Sequence, residues 1–199
     1  MNYLYLILLW GIFYALHSTL ATGKLKRILK EKLGKAYKWY RLFYSLFSLG
    51  LFLILLFFTF KIPPRQLFVP QGLVEYFGYM FATFGTIIMV QSSKAWSMGK
   101  FFGWVPEQGS EREQLIVSGW YKRIRHPLYA GLLLIFIGYF LVSGTYTALV
   151  HLGCLILYLP IGIYFEEKNL IAQFGEDYKN YQKAVPAIFP KLKKATPSN

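Results

Sequence analysis

Four apolar runs, Tyr3 to Ala21, Leu42 to Phe60, Leu73 to Val90 and Ala148 to Phe165, dominate this chain. Each approaches or reaches the roughly 18 to 20 residues that a helix needs to cross about 30 Å of hydrocarbon. A fifth run, Leu128 to Val142, is shorter. At about 1.5 Å per residue it still covers most of that thickness, with its aromatic and polar ends at the interface. Five spans are therefore expected. Composition points the same way: 55% hydrophobic and 20% aromatic content with 16% charge departs far from soluble averages. The expected fold class is all-α, a polytopic membrane protein with about five transmembrane helices. The last two form a hairpin, and cytoplasmic helices follow it.

The net charge of +13 raises the question of nucleic acid, but its distribution answers otherwise. Of the 22 Lys and Arg residues, only Lys61 and Arg65 fall between spans two and three, and none falls in the "SGT" turn between spans four and five. All the others lie on the opposite side. This is the positive-inside bias, and it predicts an N-terminus outside and a C-terminus in the cytoplasm. Basic segments beside a membrane meet anionic headgroups, which accounts for "KLKRILKEKLGKAYKWYR" without DNA. The lipid bilayer is thus an expected partner and nucleic acid is not. The first run is too long for a signal peptide and lacks a clear small-x-small cleavage site, so it reads as a retained helix. Cys154, the sole cysteine, lies inside span five and can form no intrachain disulfide.

Between spans one and two, Leu25, Ile28, Leu29 and Leu33 repeat at helical spacing along a basic connector that is expected to lie on the membrane surface. "KIPPRQLFVPQG" is a Pro-rich outer loop. The stretch from Gln91 to Arg125 is cytoplasmic in this reading. It carries Trp96, Phe101, Phe102, Trp104 and Trp120 among its charges, too many aromatics for a solvated linker. After span five, Leu170, Ile171, Phe174, Tyr178 and Tyr181 continue a helical stripe. Gly175 marks a break, Glu176 and Asp177 suit the start of a new helix, and Pro186 stops it. The whole chain, 1–199, is expected to be one integral membrane domain. Residues 1–95 form a three-helix scaffold and 96–190 the cofactor-binding, catalytic part.

No glycine-rich nucleotide loop follows a strand, and the three histidines, His17, His126 and His151, lie in different segments with no metal-ligand spacing. No metal is expected. Chemistry falls instead to polar groups that a bilayer would normally exclude. Arg125 and His126 stand at the inner end of span four, Glu166 and Glu167 at the inner end of span five. A short outer turn joins these spans, so the two inner ends come together and the pairs can face one another. In one reading they merely cap the hairpin at the headgroups. In the other, Glu166 binds the cationic part of a ligand while Arg125 and His126 engage its anionic or polar part. Pro127 suits the first turn of a helix, where free backbone donors remain for a ligand. Trp120 and Tyr121, after the Ser118-Gly119 turn, are either aromatic walls of that pocket or an interfacial belt.

"LIVSGWYKRIRHPLYAG", followed about 35 residues later by "FEEKNLIAQFGEDYKNYQKAVPAIFP", resembles the isoprenylcysteine carboxyl methyltransferase and phospholipid methyltransferase superfamily of integral membrane enzymes. The resemblance covers roughly residues 113 to 190. It implies a methyltransferase with an S-adenosyl-L-methionine pocket at the cytoplasmic ends of the last two spans. The implied cofactor contacts are Glu113, Gln114, Leu115, Ile116, Tyr121, His126, Pro127, Leu128, Tyr129 and Glu166. Arg125, His126 and Glu166 are the candidate catalytic groups. A carboxylate and aromatic faces can stabilise a sulfonium and an α-amino group, while apolar residues bracket an adenine.

One position departs from the pattern. The carboxyl methyltransferases of this superfamily place an arginine one helical turn before the glutamate, where this chain has Gly162. A prenylcysteine carboxylate would lose its cationic partner. "GIYFEEKNL", "YALHSTLA" and "VPAIFP" are more similar to the bacterial branch that includes methanethiol S-methyltransferase, which implies a small or lipophilic acceptor, foremost a thiol, and a bacterial inner membrane. The alternatives are a phospholipid amine or prenylcysteine carboxyl acceptor, a membrane reductase of the sterol-reductase type using NADPH, and a scaffold without catalysis. In the thiol reading Arg125 or His126 raises the thiolate fraction.

Overall fold

The computed structural model describes residues 2–94, 99, 104 and 114–190. Glu113, Trp96, Phe101 and Phe102, singled out above, lie outside them. The described helices are α1 (Asn2–Ala21), α2 (Gly23–Leu33), α3 (Tyr40–Lys61), α4 (Leu73–Ser93), α5 (Pro127–Ser143), α6 (Tyr146–Phe174) and α7 (Glu176–Ala184). Short 3-10 turns occupy Gly34–Trp39 and Gly119–Lys122. No strand occurs among the described residues, only an isolated bridge between Gln66 and Thr145.

Helices α1, α3, α4 and α6 are long and apolar enough to cross a membrane, and α5 is the shorter fifth. The protein is an all-α integral membrane protein. Most of the large apolar residues on α1, α3 and α4 are exposed, as lipid-facing surfaces are. Helix α6, with 29 residues, outruns the hydrocarbon, so its Glu166 end projects past it. The connector forms α2 as its leucine spacing predicts, with the Thr22 hydroxyl accepting from the Leu25 N–H at its start.

Small residues set the tightest helix contact. Gly78 and Gly85 on α4 meet Gly131 and Gly138 on α5, so that a Cβ on Gly85 would stand 2.5 Å from the Gly131 carbonyl and one on Gly138 2.5 Å from that of Gly78. The backbones approach as closely as glycine permits. At the opposite end of α5 the turn to α6 runs through Gly144, whose φ of +60° suits glycine and whose Cβ position is blocked by the Phe68 carbonyl. The Pro-rich loop is clamped onto this turn by N–H donors of Leu67 and Phe68 to the Gly144 carbonyl, at 2.8 and 3.1 Å.

Within the bundle, Leu6, Trp10 and Leu55 form the buried centre. The Trp10 indole N–H donates to His151 Nδ1 at 2.8 Å. The remaining imidazole proton therefore sits on Nε2, 3.2 Å from the Thr59 hydroxyl, which donates in turn to the Leu55 carbonyl at 2.9 Å. This chain of bonds ties α1, α6 and α3 together. It assigns His151 a packing duty away from the basic end. After α6 the chain breaks at Gly175, with φ +60°, and restarts as α7. Helix α7 stops at Ala184, two residues before Pro186, because a residue preceding proline is steered out of helical geometry.

Candidate cofactor site at the basic end of the bundle

The start of α5 and the end of α6 come together, and the C-terminal segment closes over them. The Arg125 and His126 N–H groups donate to the carbonyls of Pro186 and Ala187, each at 2.9 Å. The Tyr181 hydroxyl donates to the Tyr121 carbonyl at 2.5 Å, which seats α7 on the turn before α5. "VPAIFP" is thus stitched to "RIRHP" through its backbone.

Arg125 is used completely inside this seam. Its Nε and Nη2 donate to Glu167 Oε1 at 2.8 and 2.6 Å, and its Nη1 donates to the carbonyls of Gln182 and Val185. Glu167 Oε1 also takes His126 Nε2 at 3.0 Å, and Oε2 takes the Gln182 amide at 2.8 Å. Both partners are largely buried, with side chains 11% and 16% exposed. Glu167, which the sequence shows beside Glu166 without distinguishing the two, is therefore the carboxylate that holds the fold together here.

Glu166 is placed differently. Its side chain is 45% exposed, and its Oε2 lies 3.6 Å from His126 Nδ1. The Tyr129 hydroxyl is within its electrostatic reach, and the Tyr129 ring is stacked on the His126 imidazole at 5.6 Å. Burial presses the His126 pKa down, but the hydrogen bonds and charges of Glu166 and Glu167 outweigh it and leave the pKa raised. His126 is itself buried, and both its ring nitrogens face carboxylates.

Helix α5 begins with Pro127 at its first position, and the His126 side chain does not cap it. The donors of its first turn are not taken by a side-chain cap. Pro127 is buried, and Leu128 and Tyr129 are half-buried. Tyr121 is buried in the 3-10 turn before them. Gln114 is exposed and Leu115 and Ile116 are half-buried in the irregular segment that leads there. Trp120 donates its indole N–H to Gln91 on α4 at 2.7 Å, so it braces this turn from the side. The structure brings Tyr121, Arg125, His126, Pro127, Tyr129 and Glu166 to one end of the bundle.

A cavity of about 490 Å³ lies between α1 and α6 and runs from Trp10 and Cys154 toward Ser18, Tyr158 and Phe165. Among the described residues its lining carries no Asp, Glu, Lys or Arg. Tyr158 forms part of its wall: its ring stacks on Tyr14 at 3.8 Å, nearly parallel, and its hydroxyl lies 2.8 Å from that of Ser18. The same ring covers Gly162, where an added Cβ would stand 3.0 Å from Tyr158 Cε1. The sequence points to Gly162 as a missing arginine. Tyr158 fills the space beside it, and no signal in the sequence marks that residue apart from a hydroxyl-bearing ring inside an apolar run.

The residues fit S-adenosylmethionine. A half-exposed carboxylate beside the His126 and Tyr129 stack suits a cation, and an uncapped helix start offers N–H donors to a carboxylate. Among known proteins, the phospholipid methyltransferase family model matches residues 74–177. Methanethiol S-methyltransferase 2 of Bradyrhizobium diazoefficiens is 30% identical over 94% of this chain and 72% of its own length. Methanethiol S-methyltransferase of Pseudomonas deceptionensis is 39% identical over 45% of this chain. Mouse protein-S-isoprenylcysteine O-methyltransferase is 33% identical over 45% of this chain. The matches span about a third of these last two relatives, 32% of each. No solved structure matches the chain.

Proposed function

Since this chain belongs to the phospholipid methyltransferase family, we propose that it transfers a methyl group from S-adenosylmethionine to a small thiol at the cytoplasmic face of a bacterial inner membrane. The observation that carries this reading is the division of labour between the two glutamates. Glu167 neutralises Arg125, so Glu166 remains available to a cationic ligand beside an uncharged cavity. A carboxylate-bearing acceptor finds no cation among the described residues of that lining. A small apolar thiol needs none, and about 490 Å³ is ample for one. The names of the relatives that act on methanethiol support the same acceptor class.

When bound, S-adenosylmethionine supplies a methyl group activated by the positive charge on sulfur. Glu166 and the Tyr129 ring would stabilise that cationic part, the first turn of α5 would meet the carboxylate, and Tyr121, Leu115 and Ile116 would bracket the apolar part. Gln114 would complete the strip, with Glu113 its neighbour in the sequence. Arg125 acts through the fold: it locks Glu167 and the 185–187 segment, and so holds the α5 start against the α6 end. His126, whose pKa the two carboxylates raise, orients Glu166. The displacement is in line, so the protein's task is to position the nucleophile and exclude water.

The test is radiolabelled methyl transfer by detergent-purified protein to small alkyl thiols, a prenylcysteine and phosphatidylethanolamine, with volatile products trapped. Label is expected in volatile thioethers. Label confined to phosphatidylethanolamine or prenylcysteine would overturn the thiol reading.

A further inference from the structure

The cavity between α1 and α6 is much larger than a one- or two-carbon thiol needs. At about 490 Å³ it falls in the range of sites, about 300 to 1,000 Å³, that enclose ligands of drug size. From Gly11 to Thr22 on α1, and from Cys154 to Phe165 on α6, its walls run for about 16 Å at the helical rise. The two ends differ. The far end lies against Trp10, part of the buried centre of the bundle, with Cys154 packed on that centre. The near end carries the hydroxyls of Ser18 and Thr22, and Phe165, at this end of α6, is followed directly by Glu166. Consecutive Cα atoms stand about 3.8 Å apart, so the cavity ends beside the carboxylate assigned to the cofactor.

Gly11 leaves the far end open. At Gly78, Gly85, Gly131 and Gly138 the facing helix comes within 2.6 Å of an added Cβ, whereas a Cβ at Gly11 meets nothing within 4 Å among the described residues. No close packing there requires glycine, which is unfavourable against alanine inside a helix. A side chain added at this lining position would take up cavity space and displace no neighbour.

We propose that this cavity binds the apolar chain of the acceptor, that unbranched alkyl thiols of about eight to ten carbons are favoured, and that Gly11 sets their length. The inference rests on the thiol methylation proposed above. Carbon–carbon bonds of about 1.5 Å, laid in a zigzag, carry such a chain most of the way along the walls. Its sulfur then lies at the hydroxyl end near Glu166 and its terminal methyl beside Gly11 and Cys154. Each methylene taken from water into apolar surroundings strengthens binding about 3-fold, a gain that a one-carbon thiol forgoes. The lining, uncharged among the described residues, suits a chain with neither carboxylate nor ammonium.

Ethanethiol and decanethiol share the same reacting group and differ in chain length. Comparing wild type with variant for each thiol separately removes their different partitioning into detergent. In the full-length, detergent-purified protein, Gly11→Phe should lower kcat/KM about 30-fold for decanethiol, as when about three methylenes lose their place, and about 3-fold or less for ethanethiol. Gly11→Ala should fall between wild type and Gly11→Phe with the long thiol. The affinity for S-adenosylmethionine, read by calorimetry, should stay at the wild-type value in both variants. Cys154 supplies a second readout that needs no variant, being the sole cysteine and lining the far end. Decyl methyl sulfide, the product without a reactive thiol, should slow alkylation of Cys154 by N-ethylmaleimide about 5-fold at a few times its Kd, and ethyl methyl sulfide at the same concentration should not. Equal losses for both thiols in Gly11→Phe would overturn the proposal. So would an unchanged decanethiol rate in that variant with Cys154 still shielded, the result of a cavity that holds bilayer chains alone. A wild type that methylates neither thiol would overturn the proposed function itself, and this proposal with it.

Discussion

Two neighbouring carboxylates in "FEEKNL" have opposite duties, and exchanging charge for amide separates them. In Glu167→Gln the Arg125 guanidinium and His126 imidazolium lose their counter-charge in a seam that is largely buried. We expect a loss of about 3 kcal/mol in unfolding free energy, measured by denaturation in detergent. Glu166→Gln removes a half-exposed carboxylate, so stability should move by about 0.5 kcal/mol or less. Its S-adenosylmethionine affinity should instead fall at least about 10-fold, corresponding to about 1.4 kcal/mol of a charge-assisted contact. Unchanged affinity in Glu166→Gln would remove Glu166 from the cofactor site. His126 supplies the pH dependence. Its folded pKa is raised by Glu166 and Glu167 against the effect of burial, so its contribution to stability is complete below the unfolded value near ~6.5 and fades as pH rises through the folded value. The wild type should therefore lose stability as pH rises from ~6.5 through the folded value, and His126→Gln should flatten that slope. The sequence already showed two cations facing two carboxylates. It could not show which carboxylate takes Arg125, because that choice is made by Gln182, Val185 and the strap at Pro186, more than fifty residues away from Arg125.

Among the elements, the five spans were legible because length and apolarity alone decide whether a helix can cross a bilayer. Their neighbours were less so. Helix α4 packs on α5 through Gly78, Gly85, Gly131 and Gly138, spaced by seven residues on each helix, a pattern hidden in runs whose apolar residues look alike. Leucine at Gly85 has nowhere to go: its Cβ alone would stand 2.5 Å from the Gly131 carbonyl and 3.0 Å from Ile135. Gly85→Leu should separate α4 from α5, shift Trp120 away from Gln91 and abolish methyl transfer while the chain still inserts. Protease resistance and activity in the same membranes check this, and full activity in that variant would contradict the packing. The Trp10, His151 and Thr59 chain makes a milder case. His151→Leu keeps bulk but removes two hydrogen bonds, for which about 1 kcal/mol is expected in a membrane interior. The sequence offered His151 as one of three scattered histidines. Only the folded neighbours of each separate the staple, His151, from the groups at the basic end, His17 and His126.

At the scale of the molecule, charge and chemistry share one end. Among the described residues, the lysines and arginines other than Lys61 and Arg65 lie toward the end where α5 begins and α6 finishes, which is also where the cavity between α1 and α6 reaches Ser18 and Thr22. The sequence conveyed this polarity through loop charges. It did not convey how the tyrosines inside the apolar runs pair across helices, as Tyr158 does by stacking on Tyr14 with its hydroxyl 2.8 Å from that of Ser18. A site built this way works only if the basic end faces the compartment that holds S-adenosylmethionine, which makes orientation a condition of function. Lysine in the loop between α3 and α4 is limited to Lys61, and the turn between α5 and α6 has none. Lys61 is exposed at the end of α3, with its ammonium 5.2 Å from the Phe57 ring. A membrane-impermeant amine reagent added to intact spheroplasts should therefore label the peptide containing Lys61 and leave Lys24 to Lys38 unmodified. Opening the membrane should expose the α2 lysines to the same reagent, and Lys61→Arg should erase the signal from intact spheroplasts. Labelling of Lys24 to Lys38 from outside would reverse the topology and turn the candidate site away from its cofactor.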